Sequence, residues 1–208
     1  MPTILLTGFG PFPGAPYNPT GPLVARLARL RRPCLTNAKI ISHIFPTSYA
    51  AVDRDLPMLL TQHNPDALLM FGLAPRSRAL HIETRARNVV SLLPDAAGIA
   101  PPRQAITIGG PPAIAMPAPV HRLLATVRAA HVPATLSRDA GRYLCNYLAW
   151  RAAAAAGKNG GPHLVTFVHV PKVSHSARRA GKRRRFSLGD LTRAGAALLA
   201  AVAGSRHV

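Results

Sequence analysis

The chain has 208 residues, enough for one α/β domain with a sizeable core and short for two independent ones. Its hydrophobic content of 48% is that of a globular protein. Lys and Arg number 26 against 7 Asp and Glu, a formal net charge of +19 that attracts polyanions and that a GC-rich genome would also produce through codon bias. Two cysteines, Cys34 and Cys145, exclude a disulfide framework. The start of the chain lacks a basic leader followed by a long apolar core, and "AGAALLAAVAG" near the end is too short to span a bilayer. A cytoplasmic protein with free thiols is expected.

In chain order, "TILLTGF" reads as a short buried strand that ends at glycine. After a glycine- and proline-rich loop, "GPLVARLARLRR" sets Leu23, Leu27 and Leu30 at helical spacing. "AKIISHIFP" reads as a strand stopped by Pro46, and "SYAAVDRDLPMLLTQHN" as a helix in which Pro57 belongs near a bend or a start. "DALLMFGLA" is a strand buried on both faces. "ALHIETRARNVVSLL" supplies one or two extended segments, and the turn-rich residues 94–119 form a surface excursion. A helix in "VHRLLATVRAAH", a strand in "PATLS", a helix in "YLCNYLAWRAAAAAG" and a buried strand in "PHLVTFVHVP" follow. "SLGDLTRAGAALLAAVAG" closes the chain as a helix capped by Ser187 or Asp190. Strands alternate with helices, which predicts a single α/β domain over 1–208 whose sheet is covered on both faces. The basic segment over 172–185 reads as a solvated loop.

The loop "TGFGPFPGAPYNPTG" poses a choice between a phosphate cradle and something else. Gly8 and Gly10 fit a dinucleotide fingerprint, but Pro13 stands where the third glycine belongs. Pro11 and Pro13 also lack the N–H donors that a phosphate needs. A proline-stiffened connection, or a flat apolar slot walled by Phe9 and Phe12, fits the composition better.

Three residues stand out chemically. Cys145 lies near the start of an inferred helix, where the positive end of the helix dipole favours a thiolate. His169 sits at the C-terminal end of a buried strand, where ligand crevices form in α/β sheets. Glu83 is the only glutamate in the chain and suits the role of an acid orienting an imidazole, with Asp95 and Asp139 as alternatives. Each has a bland reading as a core thiol, a core histidine or a salt-bridged carboxylate.

Five blocks in order resemble the pyroglutamyl peptidase I family of cysteine peptidases. They are "LLTGFGPFPGAPYNPTG", "FPTSY", "GLAPRSRALHIETRARN", "DAGRYLCNYLAW" and "FVHVP". The resemblance implies a single-domain α/β/α sandwich with a mostly parallel twisted sheet. It implies a triad of Cys145, His169 and Glu83 that cleaves an N-terminal 5-oxoproline from peptides through an acyl-enzyme. It further implies that Phe9 and Phe12 line a lactam slot, that Asn18 ties the loop down, and that Thr47, Tyr143 and Leu144 lie close by. No cofactor or metal is expected. Family members often form tetramers, so a homo-tetramer is implied, against the repulsion of a basic surface.

The chain also departs from the pattern. Leu93 stands where the family usually has an arginine, "PRSR" replaces a glycine-rich segment, and Arg85 and Arg87 interrupt an apolar run. "PKVSHSARRAGKRRR" follows the histidine in place of the usual segment. A catalytically weak relative acting as a basic nucleic-acid-binding or interaction protein is the alternative, with nucleic acid a less favoured partner than a peptide.

Overall fold

The computed structural model describes residues 1–12, 14–156, 158, 160–174 and 186–205. The basic run over 175–185, Pro13 and the glycine expected to stop the helix at 157 lie outside the described residues. In chain order the elements are β1 (Thr3–Phe9), α1 (Thr20–Ala28), β2 (Lys39–Phe45), α2 (Tyr49–His63), β3 (Ala67–Leu73), β4 (Leu80–Glu83), β5 (Arg85–Arg87), β6 (Ala113–Ala115), α3 (Val120–Ala129), β7 (Ala134–Ser137), α4 (Leu144–Ala156), β8 (Leu164–Val170) and α5 (Leu188–Ala203).

Six strands form the central sheet in the order β2-β1-β3-β8-β4-β7. β2, β1, β3 and β8 run parallel, while β4 and β7 are parallel to each other and reversed against β8. β3 and β8 are buried along their whole length, as their near-continuous apolar sequences require of strands covered on both faces. Successive residues alternate between the two faces. Ile4, Leu6, Leu69, Phe71, Val168 and Val170 pack against α1, α3 and α5. Leu5, Leu68, Met70, Val165 and Phe167 pack against α2 and α4. The layers are those of an α/β/α sandwich with a mostly parallel sheet. No helix among the described residues is long and apolar enough to cross a membrane.

Several boundaries differ from the sequence expectation. α1 stops at Ala28, short of the arginines that follow, and Pro33 opens a single 3₁₀ turn. The turn-rich excursion contains β6, which pairs with β5 in a small antiparallel sheet. α2 runs through Pro57 instead of bending or starting there. Val52, Asp55, Leu56 and Leu59 on the same helix are buried, whereas Pro57 lies on the exposed face. Packing of the inner face therefore outweighs one lost backbone bond. At α5 both cap candidates act together: Ser187 accepts from the Asp190 N–H, and Asp190 accepts from the Ser187 N–H.

The start of α2 is capped from a distance. Ser48 makes no side-chain cap bond to the helix, but Asp95 Oδ2 accepts the Tyr49 N–H at 2.9 Å. Asp95 Oδ1 accepts the N–H groups of Ala97 and Ile99 at 2.8 and 3.1 Å. Burial raises the Asp95 carboxyl, but these backbone donors more than offset it and hold it below its ordinary range. Asp95→Ala is expected to cost about 1–3 kcal/mol in urea unfolding at neutral pH, because three donors lose a charged acceptor. A carboxyl depressed in the folded state stabilises above its unfolded value of about 3.9, and that contribution is lost as pH falls through the lower folded value. The gap between wild type and Asp95→Ala should accordingly shrink in strong acid, read from the urea midpoints of the two proteins against pH.

Candidate active site

The first turn of α4 faces the ends of the parallel strands. Tyr147 N–H donates to Tyr143 C=O at 3.0 Å, so the N–H groups of Leu144, Cys145 and Asn146 precede the first bond of that ladder. Asn146 is buried and ties this turn to the strand beside it. Its Nδ2 donates to Arg87 C=O and Val89 C=O at 2.9 and 2.8 Å, and its Oδ1 accepts the Arg87 N–H at 2.9 Å. Cys145, half-buried, is thereby held against β3. A Cβ on Gly72 would lie 2.7 Å from Cys145 Sγ and 2.7 Å from Phe167 Cζ. Glycine is required at position 72 by this close approach of thiol and sheet.

His169 lies beside Gly72 in the register of β3 and β8, opposite His81 across the antiparallel β4–β8 pair. Its Nδ1 and Glu83 Oε1 are 2.8 Å apart, and the Cys145 thiol lines the same cavity close enough to interact electrostatically with the ring. The Phe167 ring meets the imidazole edge-on, with centroids 5.1 Å apart. Glu83 is fully buried, and its second oxygen, Oε2, has no partner among the described residues. Burial disfavours a charged imidazole here, but the Cys145 sulfur and the Glu83 carboxylate outweigh it and raise His169 to about 10. Of the three acids considered from the sequence, Glu83 is the one on the imidazole. Asp95 caps α2, and Asp139 pairs with Arg87 at 3.3 Å and accepts the Gly141 N–H at 3.0 Å.

A cavity of about 300 Å³ opens beside Cys145 and His169. Phe9, Phe12, Asn18, Thr47, Tyr143 and Leu144 all line it. The loop after β1 is clamped at Gly10. Its C=O accepts from Asn18 Nδ2 at 3.0 Å and Thr47 Oγ1 at 3.3 Å, and its N–H donates to Phe45 C=O at 2.9 Å. Asn18 Oδ1 in turn accepts the Thr20 N–H at 3.1 Å. Tyr143 is fixed by its hydroxyl, which donates to Pro94 C=O at 3.1 Å. Sequence reasoning missed His81, Ala74 and the 139–142 stretch in the lining, and it missed Gly72 and Asn146. The glycine closing "MFG" and the asparagine following Cys145 were visible, but only the fold shows what each touches. Leu93, by contrast, is 67% exposed and does not line the cavity.

Comparison with known proteins shows the family. A family model for pyroglutamyl peptidase matches residues 2–203. The pyrrolidone-carboxylate peptidase 1 of Ralstonia nicotianae is 34% identical over 85% of this chain and 81% of its own. The pyrrolidone-carboxylate peptidase of Halalkalibacterium halodurans is 33% identical over 92% of this chain and 94% of its own. The crystal structure of Bacillus amyloliquefaciens pyroglutamyl peptidase I superposes with a TM-score of 0.85 at 28% identity, covering 99% of this chain and 98% of that one. The chain belongs to the pyroglutamyl peptidase family.

The glycine contact yields a direct test. Gly72→Ala places a methyl group within overlap of Sγ, so the thiol or the Phe167 ring must shift. Alkylation of Cys145 by iodoacetamide, followed by intact mass, should slow by about tenfold or more as the thiol leaves His169. An unchanged rate in a variant with native circular dichroism would show that the close approach does not set thiol reactivity.

Proposed function

We propose that this protein is a cysteine exopeptidase that removes an N-terminal 5-oxoproline residue from peptides, with Cys145 as nucleophile, His169 as acid–base and Glu83 as orienter. One observation carries it: the Cys145 thiol and the buried, hydrogen-bonded His169–Glu83 pair line the same cavity, which is walled by Phe9 and Phe12.

The lactam ring of a pyroglutamyl group has neither a free amine nor a side-chain carboxylate, so an ion-pairing site would be the wrong complement. Phe9 and Phe12 offer apolar walls, and the clamp at Gly10 holds their loop still. In the reaction His169 takes the thiol proton and the Cys145 sulfur attacks the pyroglutamyl carbonyl carbon. The negative charge that develops on the carbonyl oxygen is met by N–H groups at the start of α4, where those of Leu144, Cys145 and Asn146 precede the first bond of the helix. His169 then gives its proton to the leaving nitrogen, the C–N bond breaks, and a thioester to Cys145 remains. Water, deprotonated by His169, attacks that thioester and releases pyroglutamate with the thiol restored. Glu83 fixes the ring by its bond to Nδ1, leaving Nε2 for the sulfur and the leaving group, and stabilises the imidazolium.

Purified protein should release aminomethylcoumarin from pyroglutamyl-aminomethylcoumarin, and Cys145→Ala should abolish it. Absence of Cys145-dependent turnover overturns the reading. The leaving nitrogen needs a protonated ring, so activity should fall as pH rises through the His169 value of about 10. Glu83 raises that value, so Glu83→Gln should move the alkaline limb of kcat/KM towards neutrality by about one unit or more. A limb that stays in place would show that Glu83 does not hold the charge on His169.

A further inference from the structure

The cavity has two ends that differ in chemistry. Across the sheet, the tips of β1 and β2 supply Phe9, Phe12, Asn18 and Thr47 on one side of Cys145 and His169. On the other side, β4 and the segment joining β7 to α4 supply His81, Asp139, Gly141 and Arg142. A scissile amide seated at Cys145 has its acyl ring on one side and its amine on the other. If the ring occupies the apolar end, the residue after pyroglutamate lies along the polar end.

The charges at that end do not cancel. Asp139 is already paired with Arg87 at 3.3 Å and accepts the Gly141 N–H, and its side chain is 61% exposed. Ser77 Oγ donates to Ala79 C=O at 2.6 Å, so it accepts from His81 Nε2–H at 2.9 Å, and that donor is committed. Arg142 differs. Its carbonyl accepts the Ser91 N–H, which fixes the backbone, while its exposed guanidinium has no partner among the described residues. Arg76 and Arg78, exposed on the loop that joins the lining residues Ala74 and His81, are also without partners among the described residues.

We infer that this end of the cavity is a carboxylate-selective leaving-group subsite, with Arg142 as its specificity-determining residue. The inference rests on the peptidase reading above. A guanidinium offers two parallel N–H donors to a carboxylate, a geometry that an amide or a hydroxyl does not match. Arg142 is exposed, so water screens the attraction and the preference is modest, about fivefold to tenfold. The carboxylate can come from an acidic side chain on the residue after pyroglutamate or from the C-terminus of a pyroglutamyl dipeptide.

Two substrate pairs separate these sources, with the freed amine read by fluorescamine, which the blocked substrates do not label. Pyroglutamyl-glutamic acid amide is set against pyroglutamyl-glutamine amide for the side chain, and pyroglutamyl-alanine against its amide for the terminus. At least one charged-to-neutral ratio of kcat/KM should reach about fivefold to tenfold at low salt and decline as salt is raised. The pair that shows it names the source. Arg142→Gln should bring that ratio to about one, and Arg142→Lys should restore part of it. Ratios near one in both pairs, or a ratio that persists in Arg142→Gln, overturn the subsite. Pyroglutamyl-aminomethylcoumarin carries no carboxylate and separates the two failures. If it is turned over while the ratios stay near one, the subsite alone falls. If no compound shows Cys145-dependent turnover, the peptidase reading falls and takes the subsite with it.

Discussion

The contact between Glu83 and His169 is the constraint around which the site is built. Glu83 is fully buried and leaves one carboxylate oxygen without a partner among the described residues, an arrangement that costs free energy unless a positive charge lies beside it. His169 supplies that charge when its ring is protonated, a form that both the Cys145 sulfur and the Glu83 carboxylate favour. Each member of the relay therefore depends on the other two. The reversed strand explains how they meet. β4 runs antiparallel to β8, so His81 sits opposite His169 and Glu83 lies two residues further along the same face. From there its carboxylate reaches back to the imidazole beneath the first turn of α4.

Cys145 is positioned by a different device. α4 approaches the sheet closely because residue 72 has no side chain, and Asn146 locks its first turn to the backbone of Arg87 and Val89. The slot is held by Asn18 within its own loop and by two long-range bonds, Thr47 on the carbonyl of Gly10 and Asp95 pinning its own loop to the start of α2. None of these contacts lies within one element. Preorganisation of the site is a tertiary property, which keeps the reacting groups from drifting apart at little local cost.

That distinction decides what could be read from the chain alone. β3 and β8 were legible because an apolar run of strand length, closed by glycine or proline, has few other readings. Glu83 could be singled out because acids are scarce, and His169 because it ends a buried strand. Neither periodicity nor composition could say that Glu83 meets His169 and Asp95 does not, since that follows from strand order and direction. β5 and β6 are too short and too mixed in sequence to carry an alternation signal of their own. Gly72 and Asn146 stand within motifs, yet their roles depend on neighbours distant in the chain. Pro57 misled in the opposite sense, because a local breaker was overruled by the buried face of its helix.

Among the described residues, the departures from the family pattern lie away from the buried imidazole–carboxylate pair. Leu93 points its bulk to solvent and leaves the cavity lining without an arginine at that position. On β5, Ala86 is buried while Arg85 and Arg87 are only partly so, bonding to Arg138 C=O and Asp139 on the surface. The strand thus keeps its period of two, and the two arginines enter without disturbing the core. Arg76 and Arg78 likewise fall on an exposed turn. Among the described residues, these arginines are exposed or partly exposed, while the imidazole and carboxylate are buried. Charge at a rim acts through solvent on what approaches, whereas a buried pair acts on the bond being broken. On the proposed reading, Arg142 in the cavity lining bears on which peptide is held there, and the buried His169–Glu83 pair on how that peptide would be cleaved.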